Sequence, residues 1–109
     1  MSQLDIDIAN TILAQLGGNR FIAMTGVKRH LLLAIKNGLQ VKLPTRFAQK
    51  GINCVQIILD PSDTYTMKFI KLKKIKFDYS SEVISEVNGV YWDQLQEIFT
   101  EETGLNTHL

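Results

Sequence analysis

The segment KFIKLKKIKFDY, residues 68–79, sets five lysines among apolar and aromatic residues. Lys68, Lys71, Lys73, Lys74 and Lys76 are spaced closely enough to follow a phosphate backbone. Each ammonium that neutralises a phosphate releases a condensed counterion, which gives affinity and a steep salt dependence. Tyr65, Phe69, Phe77 and Tyr79 lie within or beside the segment and could stack on bases. Arg20, Lys42 and Arg46 could add cations from neighbouring elements. Three other readings compete. Lysines defend strand edges against aggregation, basic strands can face the acidic ends of this chain or of a second copy, and an acidic protein is a further partner. For the aromatics, core packing is the ordinary role.

Chemistry that needs a catalytic constellation is nearly absent. His30 and His108 are the only histidines, and Cys54 is the only cysteine. Cys54 sits in NCVQII, which reads as a strand, so a small buried core residue is expected rather than a nucleophile paired with His30. Asp60 and Asp63 resemble paired acids, but the intervening proline and serine make them turn residues. The GGN at 17–19 is expected to precede a strand, which would deny it the geometry of a phosphate-cradling loop. No metal-ligand, P-loop or nucleophile-elbow spacing occurs. A non-enzymatic protein without metal or cofactor is the expectation.

The formal net charge is +1, yet the charge is sharply partitioned. All twelve basic residues lie between Arg20 and Lys76, with only Asp60 and Asp63 against them, a net of +10 over that span. The other acids lie at the two ends. Such asymmetry speaks to partners and association rather than fold. A length of 109 residues suits one domain, residues 1–109, with one core. No apolar run approaches the roughly 18 residues of a membrane span. The start MSQLDIDIAN carries acids where a secretory leader needs positive charge. Together with a single cysteine, this points to the reducing cytoplasm.

The elements that must position these side chains follow from periodicity. Leu4, Ile8, Ile12 and Leu16 recur on one helical face over residues 3–16, and Gly17-Gly18 ends that helix. Residues 19–27, NRFIAMTGV, are apolar on both alternating faces and predict a strand. Asn37-Gly38 predicts a hairpin turn followed by a strand through Leu39, Val41 and Leu43. Residues 45–51 read as a polar loop. Residues 52–60 and 64–72 predict a hairpin across Pro61-Ser62-Asp63, with Tyr65, Met67 and Phe69 inward. Strict alternation would carry Lys71 and Lys73 inward too, and burying unpaired ammonium groups costs several kcal/mol. A bulge near Phe69-Ile70 and a bend at Lys73-Lys74 are therefore expected. They would gather the lysines on one exposed face, ahead of a further strand over about residues 75–87. Asn88-Gly89 should break the sheet. A final helix then carries Val90 or Tyr91, Leu95, Ile98 and Phe99 inward and Glu97, Glu101 and Glu102 outward, capped by Gly104. The class is α+β: an N-terminal helix, an antiparallel meander of about four to five strands and a C-terminal helix, with the helices on one sheet face.

The strings GGNRFIAMTG (17–26) and DQLQEIFTEETGL (93–105), with VKLP (41–44) and SDTYTM (62–67) between them, carry a resemblance. The chain resembles a widespread group of small uncharacterised phage and prophage proteins over about residues 8–109. Only KRHLLLAIK (28–36) departs, being less polar than the loop the resemblance implies. The resemblance implies an intracellular protein of a phage or mobile element and supplies no site. In topology alone the chain is also similar to Whirly-like proteins, which bind single strands on a sheet. A double-stranded-RNA-binding domain is disfavoured because the last helix is acidic.

Two functions follow as expectations. One is a nucleic-acid-binding module, single-stranded for preference, using Lys68, Lys71, Lys73, Lys74 and Lys76. The alternative is a modulator of a host or defence protein. It would use the acidic faces (Glu97, Glu101, Glu102) or a Tyr91–Trp92 corner, where one of the two aromatics must be left out of the helix's inner stripe.

Overall fold

The computed structural model describes residues 2–44 and 48–107, with the backbone alone at His30 and Ile75. Helix α1 (Gln3–Leu16) starts at Ser2, whose hydroxyl oxygen accepts from the Asp5 N–H. Gly17, at φ 123°, closes it. Helix α2 (Asn19–Thr25) follows where the sequence predicts a strand. Phe21 and Thr25 are buried one turn apart while Ala23 is exposed, so a single helical face points inward. Seven residues are too few for that period to stand out from a run that is apolar throughout.

Among the described residues the sheet has five strands in sequential antiparallel order: β1 (Leu32–Ile35), β2 (Gly38–Lys42), β3 (Cys54–Leu59), β4 (Tyr65–Ile75) and β5 (Asp78–Val90). Asn37, at φ 58°, opens the β1–β2 turn as its residue type predicts. Strand β1 lies within residues 28–36, where the resemblance implies a loop. The expected hairpin of β3 with β4 is present, with Leu59 opposite Tyr65 and Cys54 opposite Ile70. A turn at Lys76-Phe77 joins β4 to β5, and a short 3-10 turn (Trp92–Gln94) leads into α3 (Leu95–Thr103).

Helices α1 and α3 cover the same sheet face. Leu39 and Val41, Val55 and Ile57, and Tyr65, Met67 and Phe69 alternate toward that face. They meet Ile12, Leu16, Phe21, Leu95 and Phe99 in one buried cluster. Phe21 and Phe99 meet edge-to-face at 5.1 Å between ring centres, a favoured aromatic geometry. Among the described residues the opposite face carries no helix, and it presents the row Leu33, Gln40, Gln56, Lys68 and Glu86.

Three expectations about the last two strands need correction. Asn88-Gly89 does not break the sheet. Strand β5 runs through it to Val90, and Gly89, at φ 68°, absorbs an irregularity between the Tyr65 and Met67 pairings. A register shift does fall between Phe69 and Ile70, but the extra residue is Ile84 on β5. Strand β4 therefore keeps its alternation, with no bend at Lys73-Lys74, and the chain reverses only where Lys76 adopts φ 55°. The lysines escape burial by a different route: the core ends before them. The β3–β4 pairing stops at Ile70, so β4 and β5 continue alone as a two-stranded arm. At about 3.3 Å per residue it reaches roughly 15–20 Å past the Ile70–Val83 row.

Candidate nucleic-acid interface

The arm is built outward from a pinned root. Asn53 precedes β3 and imitates one more strand residue. Its backbone N–H donates to the Ile70 carbonyl at 3.0 Å. Its side-chain amide then spans Leu72 from both sides, donating to the Leu72 carbonyl at 2.9 Å and accepting from the Leu72 N–H at 2.7 Å. On the helix side, Lys71 lies over Gly51: a Cβ placed there would come within 3.3 Å of the lysine's Cδ and Cε. The sequence reading missed Asn53. Its signal was a lone amide residue directly ahead of an apolar strand.

Beyond this root the lysines divide between the arm's two faces. Lys71 and Lys73 share the helix-side phase with Glu82 and Ser80, their cross-strand partners. Lys68 and Lys74 point to the open side, opposite Glu86 and Tyr79. Lys76 occupies the turn. The expected gathering on one face does not occur, because unbroken alternation sends successive residues to opposite sides. Lys68 stands 4.0 Å from Glu86 at the base. Lys73, Lys74 and Lys76 are exposed and make no ion pair or hydrogen bond among the described residues. The one acid near the tip, Asp78, accepts a hydrogen bond from the Tyr79 N–H at 2.8 Å.

The aromatics separate cleanly. Tyr65 and Phe69 are buried against the helices and offer no stacking surface, whereas Tyr79 is 70% exposed and Phe77 at the tip is fully so. Lys42 lies on the open face in the row that runs through Cys54 and Ile70 to Val83 at the arm's root. Arg20 is exposed on α2, beside Gly17, Asn19 and Gln96, and does not join the arm. Arg46 and His108 lie outside the described residues, as does the side chain of His30.

The protein-interface candidates are also placed. Tyr91 and Trp92 are 59% and 63% exposed, so both, not one, stand outside the core. Val90 takes the buried position as the last residue of β5. Glu97 and Glu101 face solvent. Glu102 does not: it is half-buried and accepts a hydrogen bond from the Ser85 hydroxyl on β5. Gln49 supports that end of α3 by donating to the Glu101 and Glu102 carbonyls, each at 3.0 Å.

Elsewhere the chemistry is structural. Cys54 is buried, and that burial pushes its thiol pKa up, away from the reactive thiolate. Asp60 and Asp63 close the β3–β4 turn: the Asp63 N–H donates to the Asp60 carbonyl at 3.0 Å. The GGN segment precedes helix α2, not a strand. Its glycine N–H groups are nonetheless committed, Gly17 to the Ala14 carbonyl and Gly18 to that of Leu13, which makes it a helix-to-helix reversal. Among the described residues, no group of three or more His, Cys, Asp or Glu is placed to hold a metal ion. No helix among them is long and apolar enough to cross a membrane. Comparison with family models, with curated proteins and with solved structures gives no match to this chain.

Proposed function

We propose that this is a non-enzymatic nucleic-acid-binding protein of a phage or mobile element, with the β4–β5 arm as its contact surface. One observation carries the reading: Lys73, Lys74 and Lys76 stand exposed and, among the described residues, unpaired, on an arm whose outer described side chains lie outside the buried cluster. Ordering backbone costs about 1–2 kcal/mol per residue. A two-stranded ribbon recovers little of that unless it buries apolar surface. An arm serving stability alone would be short and would bury its aromatic residues. Guarding a strand edge asks for charge, as the lysines supply, but not for a bare phenylalanine at the tip.

The test is fluorescence anisotropy with labelled single- and double-stranded oligonucleotides across a salt series. Micromolar or tighter binding at low salt is expected. Three phosphate contacts give a log–log salt slope of about −2.7 on duplex DNA or about −2.1 on a single strand, and Lys73→Glu with Lys74→Glu should flatten these to about −0.9 or about −0.7. No binding at low salt, or binding indifferent to these charges, rejects the reading.

The exposed Tyr91–Trp92 pair favours a second reading, a protein-binding modulator. An amphipathic aromatic pair clear of the core has the character of an interface anchor. Asp93 adjoins it, and Glu97 and Glu101 on the exposed side of α3 would suit a basic partner surface. A host partner captured by the native chain, retained by the lysine variant and lost with Trp92→Ala, would support this reading over the first.

A further inference from the structure

We infer that the arm enters the minor groove of duplex DNA and that Phe77 acts as a wedge, unstacking a base step and bending the duplex. This rests on the nucleic-acid reading and names its ligand. Three features lead to it.

The stacking platform that a single strand would need is missing. Tyr65 and Phe69 are covered by the helices, and the open face shows glutamines, Lys68 and Glu86 in its central row. Within the arm the exposed aromatics, Phe77 and Tyr79, lie at the tip instead of being spread over the sheet. Successive bases stack along a platform, whereas a single protruding apolar side chain is suited to parting one step.

The outer arm also lacks the planar amide and guanidinium forks that read major-groove edges most selectively. From Lys73 to Ser81 it holds lysines, serines, aromatics, one isoleucine and one aspartate, with no arginine, asparagine, glutamine or glutamate. Its lysines and serines are suited to positioning the arm on phosphates, and the base contacts open to them discriminate less than a planar fork would. Recognition by deformability suits such a side-chain set.

The arm's cross-section is asymmetric as well. Lys73 faces Ser80 and Leu72 faces Ser81, so β5 presents two small side chains midway along the arm, while Lys74 faces Tyr79 nearer the tip. Serines permit close approach to sugars and phosphates. Two strands about 4.8 Å apart, with side chains, are still wider than the roughly 6 Å minor groove of undistorted B-DNA. Seating the arm there requires the groove to open, and a wedge that kinks the duplex toward the major groove does that. Bending follows if the arm seats in that groove; the wider major groove would admit it unbent, an outcome that duplex binding without bending would report. Lys73, Lys74 and Lys76 would hold the flanking phosphates, while Glu82, opposite Lys71, sits back near the root.

The experiment uses the full chain with a duplex of about 25 base pairs carrying a fluorophore at each end. Saturating protein should raise energy transfer, because bending brings the ends together. A duplex with a central mismatch, whose step is already partly unstacked, should bind about tenfold more tightly than the matched one. Phe77→Ser should abolish the added transfer and the mismatch preference while keeping the salt slope. Phe77→Leu, which restores an apolar wedge, should recover both. Phe77 makes no core contact, so thermal melting of each variant should match the native chain. Duplex binding without bending, mismatch preference unaffected by Phe77→Ser, or binding confined to single strands would each overturn the wedge and leave the nucleic-acid reading standing. Failure to bind any oligonucleotide would overturn both.

Discussion

Asp5 joins two elements that lie thirty-two residues apart in the chain. Its carboxylate accepts the Asn37 N–H at 2.9 Å and the Ser2 hydroxyl at 2.9 Å, tying the first turn of α1 to the β1–β2 turn. The Asn37 hydrogen bond, followed by that from Ser2, holds the Asp5 pKa below its ordinary 3.8. A carboxyl whose pKa is lower in the folded state adds stability above its unfolded pKa and loses it as pH falls through the folded value. The urea midpoint of the native chain should therefore fall more steeply between pH 5 and 2 than that of Asp5→Asn. Parallel profiles would mean the bond contributes nothing. The sequence placed Asp5 at a helix N-terminus, where negative charge is favoured. Its partner at Asn37 depended on where the hairpin turn came to rest.

At the scale of elements, the arm depends on Asn53. A side-chain amide that both donates to and accepts from Leu72 extends the β3–β4 ladder by one rung, at the point where β4 leaves the sheet. A net hydrogen bond contributes about 0.5–1.5 kcal/mol, and an orphaned, partly buried group costs more. Asn53→Ala should lower the exchange protection of the Leu72 amide by about tenfold while leaving the Met67 and Ile57 amides unchanged. Equal loosening of all three would show that Asn53 supports the whole sheet. Unchanged protection at Leu72 would show that the arm needs no pin. Helix α2 shows the reverse situation, a short element whose state was set by neighbours. Phe21 finds Phe99 on α3, and the Thr25 hydroxyl donates to the Phe21 carbonyl at 2.7 Å.

For the whole molecule, the division into a core and an arm predicts that the two are separable. None of the described side chains of residues 73–80 belongs to the buried cluster, and Lys73 faces Ser80. Replacing Lys74–Tyr79 with Asn-Gly should close a two-residue hairpin on the Lys73–Ser80 pair in the same register. The shortened chain should melt within a few degrees of the native one, since a surface change of about 0.5 kcal/mol shifts a domain this size by only about 2–4 °C. Nucleic-acid binding should disappear. A large fall in melting temperature would instead assign the arm to the fold, and retained binding would move the interface elsewhere.

Most of the architecture was legible because local rules and global packing agreed. The inward Ile8, Ile12 and Leu16 of α1, the Asn37-Gly38 turn, the β3–β4 hairpin, the inward Tyr65–Met67–Phe69 row and the Gly104 cap each follow from periodicity or turn chemistry within a few residues, whereas Leu4, expected on the same face of α1, is exposed because the helix's first turn overhangs the core. Those sequence features by themselves fixed an α+β chain with a basic middle and acidic ends, and they singled out the lysine segment. Tertiary structure decided the rest, because burial is a property of what lies opposite and no residue carries it alone. The phase argument that demanded a bend at Lys73-Lys74 assumed a core behind every strand residue. The core stops at Ile70, and unbroken alternation then costs nothing because solvent lies on both sides. Whether an aromatic is a core residue or a bare tip was settled the same way. Phe69 and Phe77 are the same residue eight positions apart on one hairpin, and only the helices over the first and the solvent around the second tell them apart.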